Sequence, residues 1–313
     1  MKTKDIWVLG STGYVGERLT HHLLECKKSG LWSGQLITFG HRSIIPWIMD
    51  YTNFHLHHLN SIPEELLEQH PPNHLYHCAR IAGSNDRRRI TASKRGFAAN
   101  NRLLRLLETR HPATRIVYCS GSLMYGDSIE HIDEDAPLAP ISYARSYEFA
   151  ERPWMDTNAS SPLDVRIARP GWILGPDSWF EYFFYRPAMK RKSVPIYGDG
   201  KQLMSIISVE DCGGQLQHLM EKGMPNQKAN LFGFVPISQA DFCLHVAEVL
   251  QLETHYVSGD AITKKYGRTV KEALTSNTPL KTKHTEWRES YEPIYSNLLE
   301  LISATIQQLS EKY

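Results

Sequence analysis

Ile6-Trp-Val-Leu-Gly10-Ser-Thr-Gly13-Tyr-Val-Gly16 decides the fold, because an apolar run that leads into three glycines at this spacing is typical of a nucleotide pyrophosphate site. Gly10 can turn the chain at the end of a strand, Gly13 leaves backbone N–H groups open to an anion, and Gly16 lets a helix lie close to the sheet. The helical pattern that follows would direct its positive end at the phosphates. A strand-to-helix turn without a ligand is the alternative interpretation. The predicted dinucleotide contacts are Gly10, Ser11, Thr12, Gly13, Tyr14, Val15 and Gly16.

Length and composition limit the class of protein and its partners. The chain has 313 residues, which fits one large α/β domain with a smaller appendage. Because 35 Lys and Arg residues balance 34 Asp and Glu residues, no strong field favours nucleic acid or an anionic membrane, and we expect a small-molecule substrate instead. No signal peptide pattern is visible, and no apolar run approaches the ~20 residues of a membrane helix. The five cysteines include no CxxC pair, so we expect a cytoplasmic protein.

The order of secondary-structure patterns predicts the architecture. Short apolar strand patterns alternate with helical patterns of about 10–15 residues, which is typical of a parallel sheet covered on both faces. We therefore predict an α/β fold with a Rossmann-type doubly wound parallel sheet. The predicted dinucleotide-binding domain spans residues 1–170, with further strands and helices from 203–245, and residues 171–313 form a smaller, substrate-capping lobe.

His41 and Arg42 follow the second predicted strand, where a dinucleotide-binding fold meets the adenosine ribose. An acidic residue there would bind the 2′-hydroxyl of NAD, whereas Arg42 suits the 2′-phosphate of NADP. The sequence thus favours NADP, with NAD as the alternative if Arg42 is a solvated loop residue. His55 and His57 share one face of the third predicted strand, but no third ligand stands at a useful spacing, so we expect no metal site.

Several segments in order resemble the extended short-chain dehydrogenase/reductases, which include the NAD-dependent epimerases and dehydratases. The match begins with the glycine loop and continues through most of the chain. Its later segments are HLYHCA at residues 74–79, Asn100, VYCSGSLMYG at 117–126, EDAPLAPISYARSY at 134–147, ARPGWILGP at 168–176 and YGDGKQ at 197–202. The resemblance implies a bound nicotinamide dinucleotide. The further cofactor contacts that it implies are Ala79, Arg80, Asn100, Tyr143, Pro170 and Gly171.

The catalytic residues that the resemblance implies differ from the family pattern at two positions. A Tyr-x-x-x-Lys pair on one helix does the acid/base work in that family, the lysine also binding the nicotinamide ribose. Here Tyr143 matches the tyrosine, but Tyr147 occupies the lysine position and becomes the expected hydrogen-bonding partner of the ribose. The family's catalytic serine or threonine position is occupied by Gly121, so Ser120 or Ser122 is the predicted source of a hydroxyl. The alternative is that both serines cap turns.

Two further features bear on the substrate. Met204 stands where nucleotide-sugar members commonly carry an arginine that grips the diphosphate, which argues against a nucleotide sugar. Aromatic residues are dense between Trp172 and Tyr185, which suits an apolar or ring-containing substrate. The same run could equally form a core or a contact between two copies of the chain, as in a homodimer.

The function that the sequence favours is an NAD(P)-dependent oxidoreduction of a carbonyl or alcohol, with Tyr143 as proton donor or acceptor. Two alternatives stay open at this stage. One is a lyase or isomerase on the same fold that uses Tyr143 without net redox change. The other is a catalytically impaired protein that only binds the cofactor.

Overall fold

The computed structural model describes residues 3–81, 83, 85–156 and 161–312, and the chain divides into two compact units. Unit 1 comprises Met1–Ser120, Arg145–Arg169 and Cys212–Ala229, and unit 2 comprises Gly121–Ala144, Pro170–Asp211 and Asn230–Tyr313. The chain therefore passes between the units several times. Unlike the predicted division, residues 121–144 belong to unit 2, and of the predicted contribution from 203–245 only 212–229 belongs to unit 1.

The secondary-structure elements of the described residues follow in chain order. The strands are β1 (Ile6–Leu9), β2 (Leu36–Gly40), β3 (Asn53–Leu56), β4 (His74–His77), β5 (Arg115–Cys119), β6 (Asp164–Pro170), β7 (Trp172–Leu174), β8 (Ser193–Tyr197), β9 (Leu203–Met204), β10 (Ile206–Ser208), β11 (Lys228–Leu231), β12 (Ile237–Ser238) and β13 (Glu253–Val257). The α-helices are α1 (Tyr14–Lys28), α2 (Pro46–Tyr51), α3 (Glu64–Gln69), α4 (Asp86–Arg110), α5 (Ser142–Met155), α6 (Arg186–Arg191), α7 (Val209–Lys222), α8 (Gln239–Leu250), α9 (Gly259–Tyr266), α10 (Arg268–Thr275), α11 (Thr285–Glu289) and α12 (Leu298–Lys312). Short 3₁₀-helices span Leu59–Ser61 and Ser122–Met124, and a π-helix spans Glu181–Tyr185.

A seven-stranded sheet carries the glycine loop. Its strand order is β11-β6-β5-β4-β1-β2-β3, and β1 to β6 pair in parallel. Val8 of β1 lies opposite Thr38 of β2 on one side and Tyr76 of β4 on the other. The strand order reverses between β1 and β4, and ligands of open α/β sheets bind at such a point, beyond the carboxyl ends of the strands. The predicted Rossmann-type fold is confirmed.

The core of unit 1 explains why these segments fold as they do. All four residues of β1 are buried, because helices cover both faces of a parallel sheet. Helix α1 buries one stripe that includes Leu19 and Leu23, and it ends with Lys27 and Lys28 at its negative end. The cluster under the sheet joins Trp7 to side chains from α3, α4 and α5.

The aromatic run of unit 2 is mainly core. Phe180, Phe184 and Tyr185 are buried in the main cluster of that unit, and Trp172, Trp179 and Phe183 pack against it. Tyr182 of this run is exposed, at 48%. Of the alternatives that the sequence left open for this run, the structure therefore favours a core: these rings bury each other because their apolar area stabilises the unit when it is removed from water.

No helix in the described part of the chain has both the length and the apolar character needed to span a membrane.

Candidate functional site

The glycine loop is held by backbone contacts that leave no room for side chains at two of its glycines. Gly10 has a φ of +82°, and a Cβ there would stand 2.8 Å from the backbone of Ala79 in the loop after β4. A Cβ on Gly16 would stand 2.0 Å from the carbonyl oxygen of Gly10. These two glycines are therefore required by the fold itself, since backbone atoms cannot move away as a flexible side chain could.

Gly13 is different, because the packing of the protein does not require a glycine at this position. Gly13 is exposed and has ordinary extended backbone angles, and within the described part of the chain a Cβ there would meet only the Gly10 oxygen, at 3.2 Å. It is also the N-cap residue of α1 and provides no side-chain cap. Ser11, two residues earlier, is fully buried, and its hydroxyl has no hydrogen-bond partner among the residues that the structure describes. An uncapped helix N-terminus beside an open glycine is what a pyrophosphate requires.

The residues that follow β2 form a basic surface at the adenosine end of the predicted site. His41 and Arg42 are both exposed, and the Nε2 atoms of His41 and His58 are 3.3 Å apart. Burial and the neighbouring charges of His58 and Arg42 lower the pKa of His41. His58 follows β3 and was not predicted from the sequence. Among the described residues no group of three His, Cys, Asp or Glu side chains could hold a metal ion.

Asn100 joins three elements of unit 1 inside the core. Its Oδ1 accepts a hydrogen bond from Nε2 of His77 at 2.9 Å, and its Nδ2 donates to the carbonyl of Ala150 at 2.8 Å. The amide of Ala150 donates to Ser93 Oγ at 3.1 Å. These bonds tie the end of β4 and helix α4 to helix α5. Asn100 is 2% exposed, and its hydrogen bonds indicate that it positions the end of β4 and helix α5 relative to helix α4. Its contact with the cofactor stays a prediction.

His77 gives the fold a testable acid sensitivity. Burial lowers its pKa to about 4, so the folded protein holds a neutral ring that the unfolded chain protonates near pH 6.5. Stability should therefore fall as the pH drops from about 6.5 to 4, by about 3 kcal/mol from this ring. We expect His77→Gln to be less stable at pH 7 but to lose less stability between those pH values, as measured by urea unfolding. Equal losses in both proteins would contradict the assignment, because other titrating groups cancel in the difference.

Ser120 lies at the carboxyl end of β5 and binds a buried carboxylate. Its Oγ donates to Glu151 Oε1 and Oε2 at 2.9 and 3.0 Å. Glu151 of α5 is 6% exposed. Burial raises its pKa, while the Ser120 hydroxyl and the charges of Arg169 and Arg80 act in the opposite direction. Neither Glu151 nor Arg169 was predicted from the sequence, although an acidic residue two helical turns after Tyr143 is a signal that could have been followed.

Tyr147 is covered by Arg80, which comes from the loop after β4. The Arg80 guanidinium carbon stands 4.1 Å from the centroid of the Tyr147 ring, and the tyrosine is only 5% exposed. Arg80 itself is exposed. A cation–π contact at this distance stabilises the pair. Unit 1 thus brings together Arg80, Tyr147, Glu151 and Ser120.

Unit 2 holds Tyr143 and Ser122. Tyr143 is half-buried against the small cluster of Met124, Ile141 and Ala144, and Ser122 is 3% exposed in the short 3₁₀-helix after β5. At Gly121 the backbone is extended, with φ −174°, and a Cβ would have no atom of the described residues within 4 Å. The glycine is therefore not a structural requirement, and a hydroxyl-bearing residue would fit there.

The last predicted cofactor contacts, Pro170 and Gly171, lie where the chain leaves β6. A Cβ on Gly171 would stand 2.2 Å from the carbonyl oxygen of Ser205, and its amide donates to Leu231 at 2.9 Å, so its small size has a structural reason. Met204 on β9 is 1% exposed and packs in the main cluster of unit 2. The side chain at this position is therefore inside the core and is not presented to a ligand.

Comparison with known proteins points to one family. The model of the NAD dependent epimerase/dehydratase family matches residues 6–231. The dTDP-glucose 4,6-dehydratase of Escherichia coli is 23% identical over 279 residues, which cover 78% of this chain and 76% of that enzyme. The UDP-glucuronic acid decarboxylase 4 of Arabidopsis thaliana is 25% identical over 234 residues, which cover 70% of this chain and 52% of that protein. The chain thus spans about half the length of this second relative.

Solved structures agree with the fold. The dTDP-glucose 4,6-dehydratase of Bacillus anthracis, solved in complex with NAD, superimposes with a TM-score of 0.79 at 19% identity, over 98% of this chain and 97% of the other. At this level of identity the likeness establishes the architecture alone.

Proposed function

Because the chain belongs to the NAD dependent epimerase/dehydratase family, we propose that it is an NADP-dependent oxidoreductase acting on a carbonyl or alcohol carbon of a small substrate. The observation that carries the proposal is Gly13, because the packing of the protein itself does not require a glycine at this position. When bound, the dinucleotide supplies or accepts a hydride. The loop from Gly10 to Gly16 would hold its pyrophosphate, and Arg42 its 2′-phosphate.

The proposed chemistry uses Tyr143 as the acid or base at the reacting oxygen. Tyr143 is half-buried, so its ring is held by packing while part of it stays accessible. The hydroxyl of Ser120 already donates to Glu151. We therefore favour Ser122 or a water molecule as a second hydrogen-bond donor to the reacting oxygen of the substrate.

For the substrate we propose a molecule without a nucleotide diphosphate. The support is Met204, which offers a buried apolar side chain where the resemblance would lead us to expect a phosphate-binding arginine. A nucleotide sugar is the second candidate, and the relatives favour it because the Escherichia coli enzyme is named for dTDP-glucose.

Two measurements test these proposals. Turnover followed at the absorbance band of reduced nicotinamide distinguishes a redox enzyme, which changes the absorbance, from a lyase or isomerase, which makes product without net change. Thermal shifts with UDP-, GDP- and dTDP-sugars test the substrate class, since a ligand stabilises only the folded protein that binds it. A shift with any of these sugars would favour the second candidate.

Arg42 gives the prediction for cofactor preference. A charge-assisted bond to the 2′-phosphate contributes roughly 1.5–3 kcal/mol, so Arg42→Ala should weaken NADP⁺ binding by about 10- to 100-fold and NAD⁺ binding very little. Isothermal titration of both cofactors measures this difference. Arg95→Ala, an exposed arginine on α4, is the matched control and should change neither affinity. Equal affinity of the unmodified protein for NAD⁺ and NADP⁺ would contradict the preference.

A further inference from the structure

A cleft of about 700 Å³ in unit 2 lies beside the end of α5 that carries Tyr143. Its walls are formed by Ser142, the first residue of α5, and by residues of the two short helices α9 and α10. The backbone N–H of Ser142 donates to Oε2 of Glu272 on α10 at 3.1 Å. Tyr143 and Ala273 of α10 pack against the same small apolar cluster. Because α10 is attached to the start of α5 in this way, the cleft adjoins the segment that carries the proposed acid or base.

Two cations of α10 line the cleft, Arg268 and Lys271. They are three positions apart, so they lie on one face of the helix. No hydrogen bond or ion pair joins either side chain to another residue in the part of the chain that the structure describes. A Cβ built on Gly259 would stand 3.4 Å from Cε of Lys271, so the stem of this lysine runs beside the start of α9. The cleft thus has two positive charges that no described residue pairs.

The position of these cations in α10 is unfavourable unless an anion binds. Both lie within the first four residues of α10, where the helix N-terminus is already positive, and the first turn contains no acidic residue. The two carboxylates of the cleft lie at other helix starts, because Asp260 is in the first turn of α9 and Glu272 accepts the N–H at the start of α5. Each carboxylate is therefore stabilised by a helix N-terminus, whereas the cations are not stabilised by the helix that carries them.

We propose that this cleft binds an oxyanion group of the substrate, either a carboxylate or a phosphate monoester. The Arg268 guanidinium can donate two parallel N–H bonds to such a group, and the Lys271 ammonium supplies a second positive charge. Ser142 is exposed, so its hydroxyl can donate a further hydrogen bond from the α5 wall. The inference rests on the proposed function and deepens it, because the substrate becomes a small carbonyl or alcohol compound with an acidic group held near Tyr143.

The experiment titrates the protein with two anions, inorganic phosphate and succinate, and follows its melting temperature. Saturating NADP⁺ occupies the glycine loop, and sodium chloride at the same ionic strength is the reference for the effect of salt. A bound anion should raise the melting temperature in a saturable way, and the anion that binds more tightly identifies the substrate group. Arg268→Gln and Lys271→Gln should each weaken this anion by about 5- to 10-fold, and the double variant should abolish the rise. Lys264→Gln, an exposed lysine of α9 outside the walls of the cleft, is the matched control.

The outcomes separate this proposal from the proposed function. A saturable rise that the double variant loses and Lys264→Gln retains supports the cleft as the anion site. If neither anion gives a saturable rise in the unmodified protein, or if the double variant shows the same rise, the proposal is overturned. Titration of the double variant with NADP⁺ should give normal affinity, because the glycine loop belongs to unit 1 and the cleft to unit 2. If the unmodified protein binds no dinucleotide, the proposed function fails, and the assignment of the anion to a substrate fails with it.

Discussion

Gly13→Val is expected to weaken dinucleotide binding by roughly 100-fold or more, which is about 2.7 kcal/mol, without unfolding the protein. The valine side chain would occupy the space beside the N-terminus of α1 where a pyrophosphate has to approach the backbone N–H groups. Of the atoms that the structure describes, a Cβ at this position meets only the Gly10 oxygen, at 3.2 Å, so the fold can accommodate it with a small shift. Fluorescence titration with the reduced cofactor measures the affinity, and thermal unfolding measures the stability.

Gly16→Val is the informative comparison. Its Cβ would stand 2.0 Å from a backbone oxygen, so we expect this variant to lose several kcal/mol of stability or to fold poorly. The two variants thus separate a glycine that the ligand needs from one that the fold needs. A Gly13→Val protein that binds the cofactor as tightly as the unmodified protein would exclude the loop as the pyrophosphate site.

Tyr143→Phe is expected to lower turnover by roughly 100- to 10,000-fold, the range for loss of a general acid or base. Phenylalanine keeps the ring that packs against the cluster of Met124, Ile141 and Ala144, so the local structure should be retained and cofactor affinity should change little. Once a substrate is identified, the turnover number and the cofactor dissociation constant measure the two expectations.

Tyr182→Phe is the matched control for this variant. Tyr182 belongs to the same unit, is 48% exposed and contacts Arg186 through its ring, which phenylalanine preserves. We expect it to retain full turnover. If Tyr143→Phe also turns over at the normal rate, the phenol is not the acid or base, and the alternatives of non-redox chemistry without Tyr143 or of a binding protein gain support.

The residues of the site differ in how far the sequence alone could define them. The loop from Gly10 to Gly16 could be predicted because its signal is local: backbone angles, a strand pattern and a helix pattern all lie within one short stretch. The parallel sheet followed from the alternation of strand and helix patterns for the same reason. The edge of the sheet at the carboxyl ends of its strands could be located from the sequence. The side chains that contact one another at this edge could not be predicted.

The contacts that were not predicted join residues that are distant in sequence. His41 meets His58 across 17 positions, and Ser120 meets Glu151 across 31. Arg80 reaches Tyr147 because the loop after β4 ends beside helix α5, and nothing in the local sequence of either segment encodes the other. Such contacts depend on how helices pack on the sheet, which is decided by the summed burial of many side chains.

The aromatic run between Trp172 and Tyr185 shows what the sequence determines and what only the tertiary structure decides. Its composition alone established that a large apolar area had to be buried, but the same rings could have lined a ligand site, filled a core or joined two copies of the chain. Only the tertiary structure decided that most of them pack against Phe242 and its neighbours in the core of unit 2. The hydrophobic effect is non-directional, so a sequence can require burial without specifying the partner, whereas steric limits on a glycine loop act through adjacent atoms and are already present in the sequence.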